Sequence, residues 1–184
     1  MSLIKTIKSD YKKHQKYGAN FFVIVFMTQG FWAVFQYRIA NFIHLHIKFK
    51  PFRFVFILLM LFWKKLIEVL TGISIPSSAK IGSAFYVGHF GNIIINANAV
   101  IGDNCNIAQG VTIGISGIGE RRGVPIVGNN VYIGANSVLA GKIEIGDNVL
   151  VGACTLVNKS VPANAVVLGV PAIIVSYNGA KDYL

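Results

Sequence analysis

The chain has 184 residues, of which 54% are hydrophobic and only 13% are charged. This composition excludes intrinsic disorder, and the length is that of one domain with room for a small helical part. Two cysteines are too few for a disulfide scaffold. The first 16 residues carry five lysines and no apolar stretch, so they are not a cleavable signal peptide. We therefore expect a reduced, cytoplasmic protein.

Charge divides the chain at about residue 72. Residues 1–72 contain 11 Lys or Arg and two acidic residues, a net charge of +9, whereas residues 73–184 contain six and five, a net charge of +1. Most aromatic residues lie in the first part and most glycines in the second. We predict a basic, aromatic-rich helical region over 1–72, followed by a second unit over 73–184 with a protruding loop at 114–126 and a C-terminal tail.

Two helices are predicted in the first part. One is amphipathic, because Phe31, Phe35, Ile39 and Phe42 recur at helical spacing with polar residues between them. The other runs from about Pro51 to Leu70. Its uncharged apolar core has ten residues, about half of the ~20 needed to cross a bilayer.

Residues 18–37 form a 20-residue stretch without a charge, but several polar residues interrupt it and disfavour a membrane span. Two explanations fit this basic, aromatic region equally well. It lies on an anionic membrane face, with the N-terminal lysines attracted to the lipid, or it packs against helices within an oligomer. No nucleic-acid partner is expected, because the lysines belong to no recognisable binding module.

The second part is a six-residue repeat. From residue 75 onward an aliphatic residue occupies every sixth position, apart from two interruptions, and the next residue is Gly in eight of thirteen cases. Such a repeat predicts a solenoid. The thirteen residues are Ile75, Ile81, Val87, Ile95, Ile101, Ile107, Ile113, Val127, Ile133, Leu139, Ile145, Val151 and Val157.

The period also predicts the shape of the solenoid. Three short strands joined by tight turns make a triangular coil of 18 residues, with each aliphatic side chain pointing inward. Coils stacked ~4.8 Å apart then form a column of roughly four turns. The handedness of the coil does not follow from the repeat alone.

Several motifs make the chain resemble the hexapeptide acyltransferases. That resemblance implies a mainly β fold, a left-handed parallel β-helix with an N-terminal α-helical region. The serine acetyltransferase branch is matched most clearly in the runs 71–76, 88–91, 109–114 and 169–172. Within that branch the runs 121–125 and 130–135 are similar to O-acetyltransferases of bacterial capsule and exopolysaccharide pathways.

The repeat is first interrupted between Val87 and Ile95, which are eight residues apart instead of six. His89 lies in this bulge and is the only histidine after residue 72. On position alone it would be an exposed turn residue. The family resemblance implies that it is the general base, which removes the proton of an acceptor hydroxyl during direct attack on acetyl-coenzyme A (acetyl-CoA).

The second interruption, between Ile113 and Val127, predicts a projecting loop. Arg121 and Arg122 in this loop either bind an anionic acceptor or the phosphates of coenzyme A, or are simply solvated. The resemblance also implies that backbone N–H groups around 114–117 stabilise the oxyanion of the tetrahedral intermediate.

Acetyl-CoA is the expected co-substrate. The resemblance implies a homotrimer with the donor bound in the groove between neighbouring columns, and the residues implied to bind it are Ser116, Ala135, Ala153 and Lys159. Each of these could equally be ordinary repeat filler. No metal site is expected, since His44 and His46 cannot share one helix face and His89 stands alone in the coil.

Three functions remain open from the sequence. The first is transfer of acetyl to a sugar hydroxyl of a surface polysaccharide or its precursor, at the inner face of the cytoplasmic membrane. Serine O-acetyltransferase is the second, although Ser74 and Val124 replace an aspartate and a histidine of that family, which argues against serine. The third is a β-helical assembly protein without catalytic activity. We favour the first.

Overall fold

The computed structural model describes residues 2–47 and 50–184. Three helices come first: α1 (Leu3–Lys16), α2 (Gln29–His46) and α3 (Lys50–Thr71), with a short π-helical turn at Val23–Met27 between α1 and α2. Helix α3 agrees with the helix predicted over 51–70. Within the described ranges, no helix is long and apolar enough to span a bilayer.

Fifteen short strands follow the helices. Most have two or three residues, as expected for the straight sides of a triangular coil. They are β1 (Ile73–Ser74), β2 (Lys80–Ile81), β3 (Tyr86–Val87), β4 (Ile93–Ile95), β5 (Val100–Ile101), β6 (Asn106–Ile107), β7 (Thr112–Gly114), β8 (Ile126–Val127), β9 (Tyr132–Ile133), β10 (Val138–Ala140), β11 (Glu144–Ile145), β12 (Leu150–Val151), β13 (Leu156–Val157), β14 (Val166–Leu168) and β15 (Ile173–Ser176).

The strands form three sheets, one on each side of a column. Sheet A contains β1, β4, β7, β10 and β13, sheet B contains β2, β5, β8 and β11, and sheet C contains β3, β6, β9, β12, β14 and β15. All strand pairs are parallel except β14 with β15. Twelve of the thirteen repeat aliphatics are buried inside the column, and Ile81 is partly buried. The predicted mainly β, three-sided repeat fold is confirmed.

The two ends of the column are closed in different ways. At the C-terminal end, the turn at 169–172 reverses the chain, so that β15 pairs antiparallel with β14 and parallel stacking stops. At the other end, α2 lies against the first coil. The amphipathic pattern of α2 does not by itself show which face is buried: Gln36 and Arg38 are buried, whereas Phe42 is 39% exposed.

The buried polar side chains of α2 explain this orientation. The first coil has no preceding coil whose N–H groups could donate to its carbonyls, and unpaired buried carbonyls are costly. The Tyr37 hydroxyl donates to Ala79 O at 2.8 Å, and the Asn41 amide donates to Ser77 O at 2.7 Å. Helix α2 therefore substitutes for the missing coil through its side chains.

Arg38 is the central residue of this contact. Its guanidinium donates to the carbonyls of Ile81 (2.7 Å) and Gly82 (2.5 Å) and forms two hydrogen bonds with the Asp10 carboxylate (2.8 and 3.1 Å). Asp10 also accepts a hydrogen bond from Phe85 N at 2.9 Å. Arg38 and Asp10 are 5% and 1% exposed, so this ion pair joins α1, α2 and the first coil inside the protein.

A second polar contact joins α3 to β1. The Glu68 carboxylate accepts hydrogen bonds from Lys64 Nζ and Ser74 Oγ, both at 2.6 Å, and pairs with Lys65 Nζ at 2.9 Å. Burial by itself raises the pKa of Glu68, but the hydrogen bonds from Lys64, Ser74 and Lys65 outweigh it and lower the pKa to about 2.

The buried ion pair should be important for stability. We expect Arg38→Ala to lower the free energy of unfolding by about 3–5 kcal/mol, because Asp10 would remain buried without a counter-ion. Lys8→Ala removes a solvent-exposed charge from α1 and is the control, with an expected change within about 0.5 kcal/mol. Urea unfolding followed by circular dichroism measures both values. Equal stability of the two variants would contradict this role for Arg38.

Glu68 should make the free energy of unfolding depend on pH in the acidic range. Its folded pKa of about 2 lies below the ordinary value of 4.5. The stabilisation is therefore complete above pH ~4.5 and is lost as the pH falls toward 2. We expect Glu68→Gln to cost on the order of 2 kcal/mol at pH 7 and almost nothing near pH 2. Melting temperatures of both proteins across this range provide the test, and a pH-independent difference would contradict it.

Candidate active site

His89 lies on the bulge between β3 and β4, where the chain passes from sheet C to sheet A. The two extra residues are accommodated by left-handed backbone at Gly91 (φ 102°) and Asn92 (φ 48°). These conformations are unfavourable for most residues and suit Gly and Asn. The bulge therefore presents His89 on the surface at a corner of the column, where its side chain is exposed.

The bulge is held from both sides. Gly91 N donates to Thr71 O, the last residue of α3, at 2.8 Å, and Gly91 O accepts from Gly110 N in the next coil at 3.0 Å. On the other flank, Gly30 of α2 packs so closely on Val87 that a Cβ at Gly30 would collide with the Val87 carbonyl. Both α2 and α3 thus fix the backbone that carries His89.

Aromatic packing supports the same corner from α1. The Tyr86 ring, on the strand that leads into the bulge, packs 4.7 Å from the His14 ring and 4.3 Å from the Tyr17 ring. Burial and the neighbouring Tyr17 and Tyr132 hydroxyls raise the pKa of Tyr86, so its hydroxyl stays protonated. His14 is also buried, and burial lowers its pKa, so it packs as a neutral ring.

The strand register stacks a row of corner residues below His89, one from each successive coil. Val87 pairs with Ile107, Ile107 with Ile133, and Ile133 with Val151. The residues two positions later are therefore stacked along one corner: His89, Gln109, Ala135 and Ala153. All four line a cleft of about 710 Å³ on the outer side of sheet C.

The other walls of this cleft were not predicted from the sequence. Tyr132 and Leu150 of sheet C form its floor, and the C-terminal tail contributes Asp182 and Tyr183. The Tyr183 ring lies 5.0 Å from the Tyr132 ring, and Tyr183 O accepts a hydrogen bond from the Asn106 amide at 3.1 Å. Gln109 could have been identified, since it occupies the same repeat position as Ala135 and Ala153, but the tail gives no periodic signal.

The imidazole of His89 has no hydrogen-bonded carboxylate among the described residues. Ser74, which the sequence comparison aligned with a family aspartate, instead bonds to Glu68. Val124, aligned with a second active-site histidine, is partly buried and packs against the apolar core. Neither side chain interacts with the His89 ring.

Ser116 and Arg121 lie elsewhere, in the projecting loop after β7. The loop folds as a hairpin, in which Ser116 and Gly123 exchange both backbone hydrogen bonds (3.1 and 3.0 Å), so the Ser116 N–H is not free to bind an oxyanion. Ser116 and Arg121 line a separate cleft of about 420 Å³. Arg122 and Lys159 are exposed near the same edge.

The structure thus divides the predicted site residues into two groups. His89, Ala135 and Ala153 lie where the strands of sheet A begin, whereas Ser116, Arg121, Arg122 and Lys159 lie beyond the ends of those strands. About six residues separate the two edges, or roughly 20 Å at ~3.3 Å per residue. Within one chain, the two groups do not form a common site.

The described ranges give little support for a metal site or a reactive cysteine. No group of three His, Cys, Asp or Glu side chains there could hold a metal ion. Cys105 is buried, and burial raises the pKa of its thiol to about 11, which leaves it protonated and unreactive. Cys154 is exposed on a corner turn with φ 56°.

Comparison with known proteins gives consistent results. The family model described as "Bacterial transferase hexapeptide (six repeats)" matches residues 125–159. A serine acetyltransferase of Staphylococcus aureus (strain MSSA476) is 34% identical over 186 residues, which is 98% of this chain and 82% of the relative.

Solved structures of serine acetyltransferases are also similar to this chain. The Neisseria gonorrhoeae serine acetyltransferase in complex with serine has a TM-score of 0.78 at 28% identity, over 95% of this chain and 69% of that one. A serine acetyltransferase in complex with CoA has a TM-score of 0.79 at 30% identity, over 95% of this chain and 70% of that one. The prediction of an acetyl-CoA-dependent acyltransferase is confirmed.

The prediction of a polysaccharide acceptor, with the carbohydrate partner it implied, is wrong. It rested on two short runs, 121–125 and 130–135, whereas the similarity to serine acetyltransferases extends over 98% of the chain. Surface runs of five or six residues in a coil are largely set by turn geometry and carry little information about the acceptor. The comparisons likewise give no support to membrane attachment. Because the similarity includes the helices as well as the coil, the chain belongs to the serine acetyltransferase family of hexapeptide-repeat acyltransferases.

Proposed function

We propose that the chain is a serine O-acetyltransferase that uses acetyl-CoA as donor and His89 as general base. The observation that carries the proposal is the position of His89 in one cleft with Gln109, Ala135 and Ala153, which are stacked along the same corner. A base and, farther along the same corner, two small side chains that leave room for a long, narrow donor thus lie in one cleft. The coil, 73–184, would carry the chemistry, and the helical region, 1–72, would hold the base in place.

The reaction needs a base because a hydroxyl is a poor nucleophile at neutral pH. The unprotonated ring nitrogen of His89 accepts the proton as the hydroxyl oxygen attacks the thioester carbonyl. The tetrahedral intermediate collapses when the carbon–sulfur bond breaks. The thiolate of coenzyme A leaves and takes up the proton from the imidazolium, so His89 is regenerated and no acyl-enzyme forms.

Small side chains on the corner would allow the pantetheine arm to lie against the backbone. Ala135 and Ala153 project only a methyl group into the cleft, and the flanking residues are Gly134 and Gly152. Larger residues at these positions would fill the path. We assign Ala135 and Ala153 to donor binding on this basis.

The remaining assigned residues require a second copy of the chain. Ser116, Arg121, Arg122 and Lys159 lie across sheet A from His89. They can complete its site only if the loop of a neighbouring column reaches that corner. We therefore propose a homotrimer of left-handed columns, in which the loop arginines meet the phosphates of coenzyme A or an anionic acceptor. The oxyanion would bind N–H groups of 114–117 other than that of Ser116.

Serine is the proposed acceptor because the relatives are serine acetyltransferases, although Ser74 and Val124 remove two polar groups expected from the family. The charged ends of serine must therefore be held by other residues, and the loop arginines are candidates for binding its carboxylate. The test is to incubate the purified chain with acetyl-CoA and L-serine and identify O-acetylserine by mass spectrometry. Transfer to other hydroxyl compounds but not to serine would refute this acceptor.

His89 should be essential for turnover. We expect His89→Ala to lower kcat by about 10²–10⁴-fold, as is usual for loss of a general base, with little change in melting temperature because the residue is exposed. Release of the coenzyme A thiol gives the rate. His46→Ala, an exposed histidine at the end of α2, is the control and should retain full activity. If His89→Ala also retained full activity, His89 would not be the base; if the natural chain itself had no activity, the β-helical assembly protein would be favoured.

Binding of acetyl-CoA should depend on the size of the side chains stacked on this corner. We expect Ala153→Trp to raise the KM for acetyl-CoA at least tenfold by filling the path of the donor. Ala163→Trp is a matched control, since Ala163 is exposed at the same repeat position on a different corner. Initial rates at varied acetyl-CoA distinguish the two. An unchanged KM in Ala153→Trp would place the donor elsewhere.

A further inference from the structure

Helix α3 exposes a large apolar face. Its buried side includes Ile67 and Thr71 and packs against α2 and β1. Besides Phe56, which is 38% exposed at its border, the other side has nine exposed apolar residues, which cover about half of the helix circumference at 100° per residue. They are Phe54, Val55, Leu58, Leu59, Leu61, Phe62, Leu66, Val69 and Leu70. Soluble single chains seldom expose so many large apolar side chains together unless a partner covers them.

The apolar face extends onto the π-helical turn. The exposed residues there are Val23, Phe26 and Met27, together with Phe21 and Phe22 just before the turn, and all five are 39–62% exposed. An apolar cleft of about 360 Å³, lined by residues of the turn, of α2 and of α3, lies between the two elements and includes Trp32 and Trp63. We call the nine α3 residues and the five residues in and just before the turn together the apolar surface.

The helical region that carries this surface is strongly basic. Residues 1–72 carry a net charge of +9 and only two acidic residues, Asp10 and Glu68. Asp10 is buried with Arg38, and Glu68 is bonded to Lys64 and Lys65. The described part of this region therefore offers no exposed, unpaired carboxylate. Its exposed lysines include Lys5, Lys8, Lys12 and Lys16 of α1.

This charge distribution selects between two occupants of the apolar surface. A second copy of the helical region would bring another +9 and no free carboxylate to neutralise the lysines. A bilayer with anionic headgroups would cover the apolar side chains and also supply the missing negative charge. Because α3 contains Lys64, Lys65 and Glu68, it suits the plane of the interface and not a crossing of the bilayer.

We propose that the apolar surface docks on an anionic lipid bilayer, with α3 lying in the interface and the lysines near the headgroups. This goes beyond the acetyl transfer proposed above, since it concerns where the enzyme acts and does not depend on the acceptor. The catalytic cleft lies on the coil, outside the apolar surface.

The test is binding of the full chain to vesicles. Co-sedimentation is measured with vesicles of phosphatidylcholine alone and of phosphatidylcholine with phosphatidylglycerol, at low and high salt. We expect at least tenfold tighter binding to the anionic vesicles, weakened by salt. Trp32 and Trp63, the only tryptophans of the chain, should shift their emission to shorter wavelength on binding.

A matched pair of variants locates the surface. Leu59→Ser, Phe62→Ser and Val69→Ser, combined in one variant, change only exposed residues of α3 and should reduce anionic-vesicle binding at least tenfold without altering acetyl transfer in lipid-free buffer. Val170→Ser and Ile173→Ser, combined, change exposed apolar residues at the far end of the column and should bind like the natural chain.

Two outcomes would overturn the docking proposal. One is equal vesicle binding by the natural chain and the α3 variant. The other is absence of vesicle binding together with self-association that the α3 variant abolishes in sedimentation velocity, which would assign the surface to a second copy. Neither outcome affects acetyl transfer measured without lipid, so failure here is distinguishable from failure of the proposed enzymatic function.

Discussion

The structure depends on satisfying the open backbone edge of the first coil. Inside the column each coil bonds to the next, but the first coil has strand carbonyls with no coil above them. Arg38, Tyr37 and Asn41 of α2 bond to these carbonyls, and Asp10 neutralises the buried guanidinium. A helix whose sequence is amphipathic therefore buries polar side chains against the coil, whereas Phe42 near its C-terminal end is 39% exposed.

The same helices also determine the active-site corner. The bulge that carries His89 is bonded to the end of α3 at Thr71 and packed against the start of α2 at Gly30. Capping the column and positioning His89, the proposed base, are thus performed by one set of contacts. This arrangement explains how an exposed histidine on a turn, without a hydrogen-bonded carboxylate in the described structure, can have a fixed backbone position.

Acceptor identity was the part of the function that sequence motifs predicted poorly. The repeat and the bulge at 88–91 lead to the correct family because both follow from the stacking geometry of the coil and its first interruption. The proposed acceptor site, in contrast, would consist of a few side chains whose placement depends on a loop and on neighbouring chains. Short runs such as 121–125 lie in that loop, which explains why they pointed to the wrong acceptor class.

The sequence by itself determined the three-sided coil, the interior aliphatic residues, the two interruptions and the helix over 51–70, because each depends on a local period of six or 3.6 residues. Only the tertiary structure decided which face of α2 is buried, because that depends on unpaired carbonyls more than 35 residues away in the chain. It also decided that His89, Gln109, Ala135 and Ala153 share a corner with Tyr132 and Tyr183, while Ser116 and Arg121 lie across sheet A. Strand register and the path of an aperiodic tail set those distances, and neither is encoded in a local pattern.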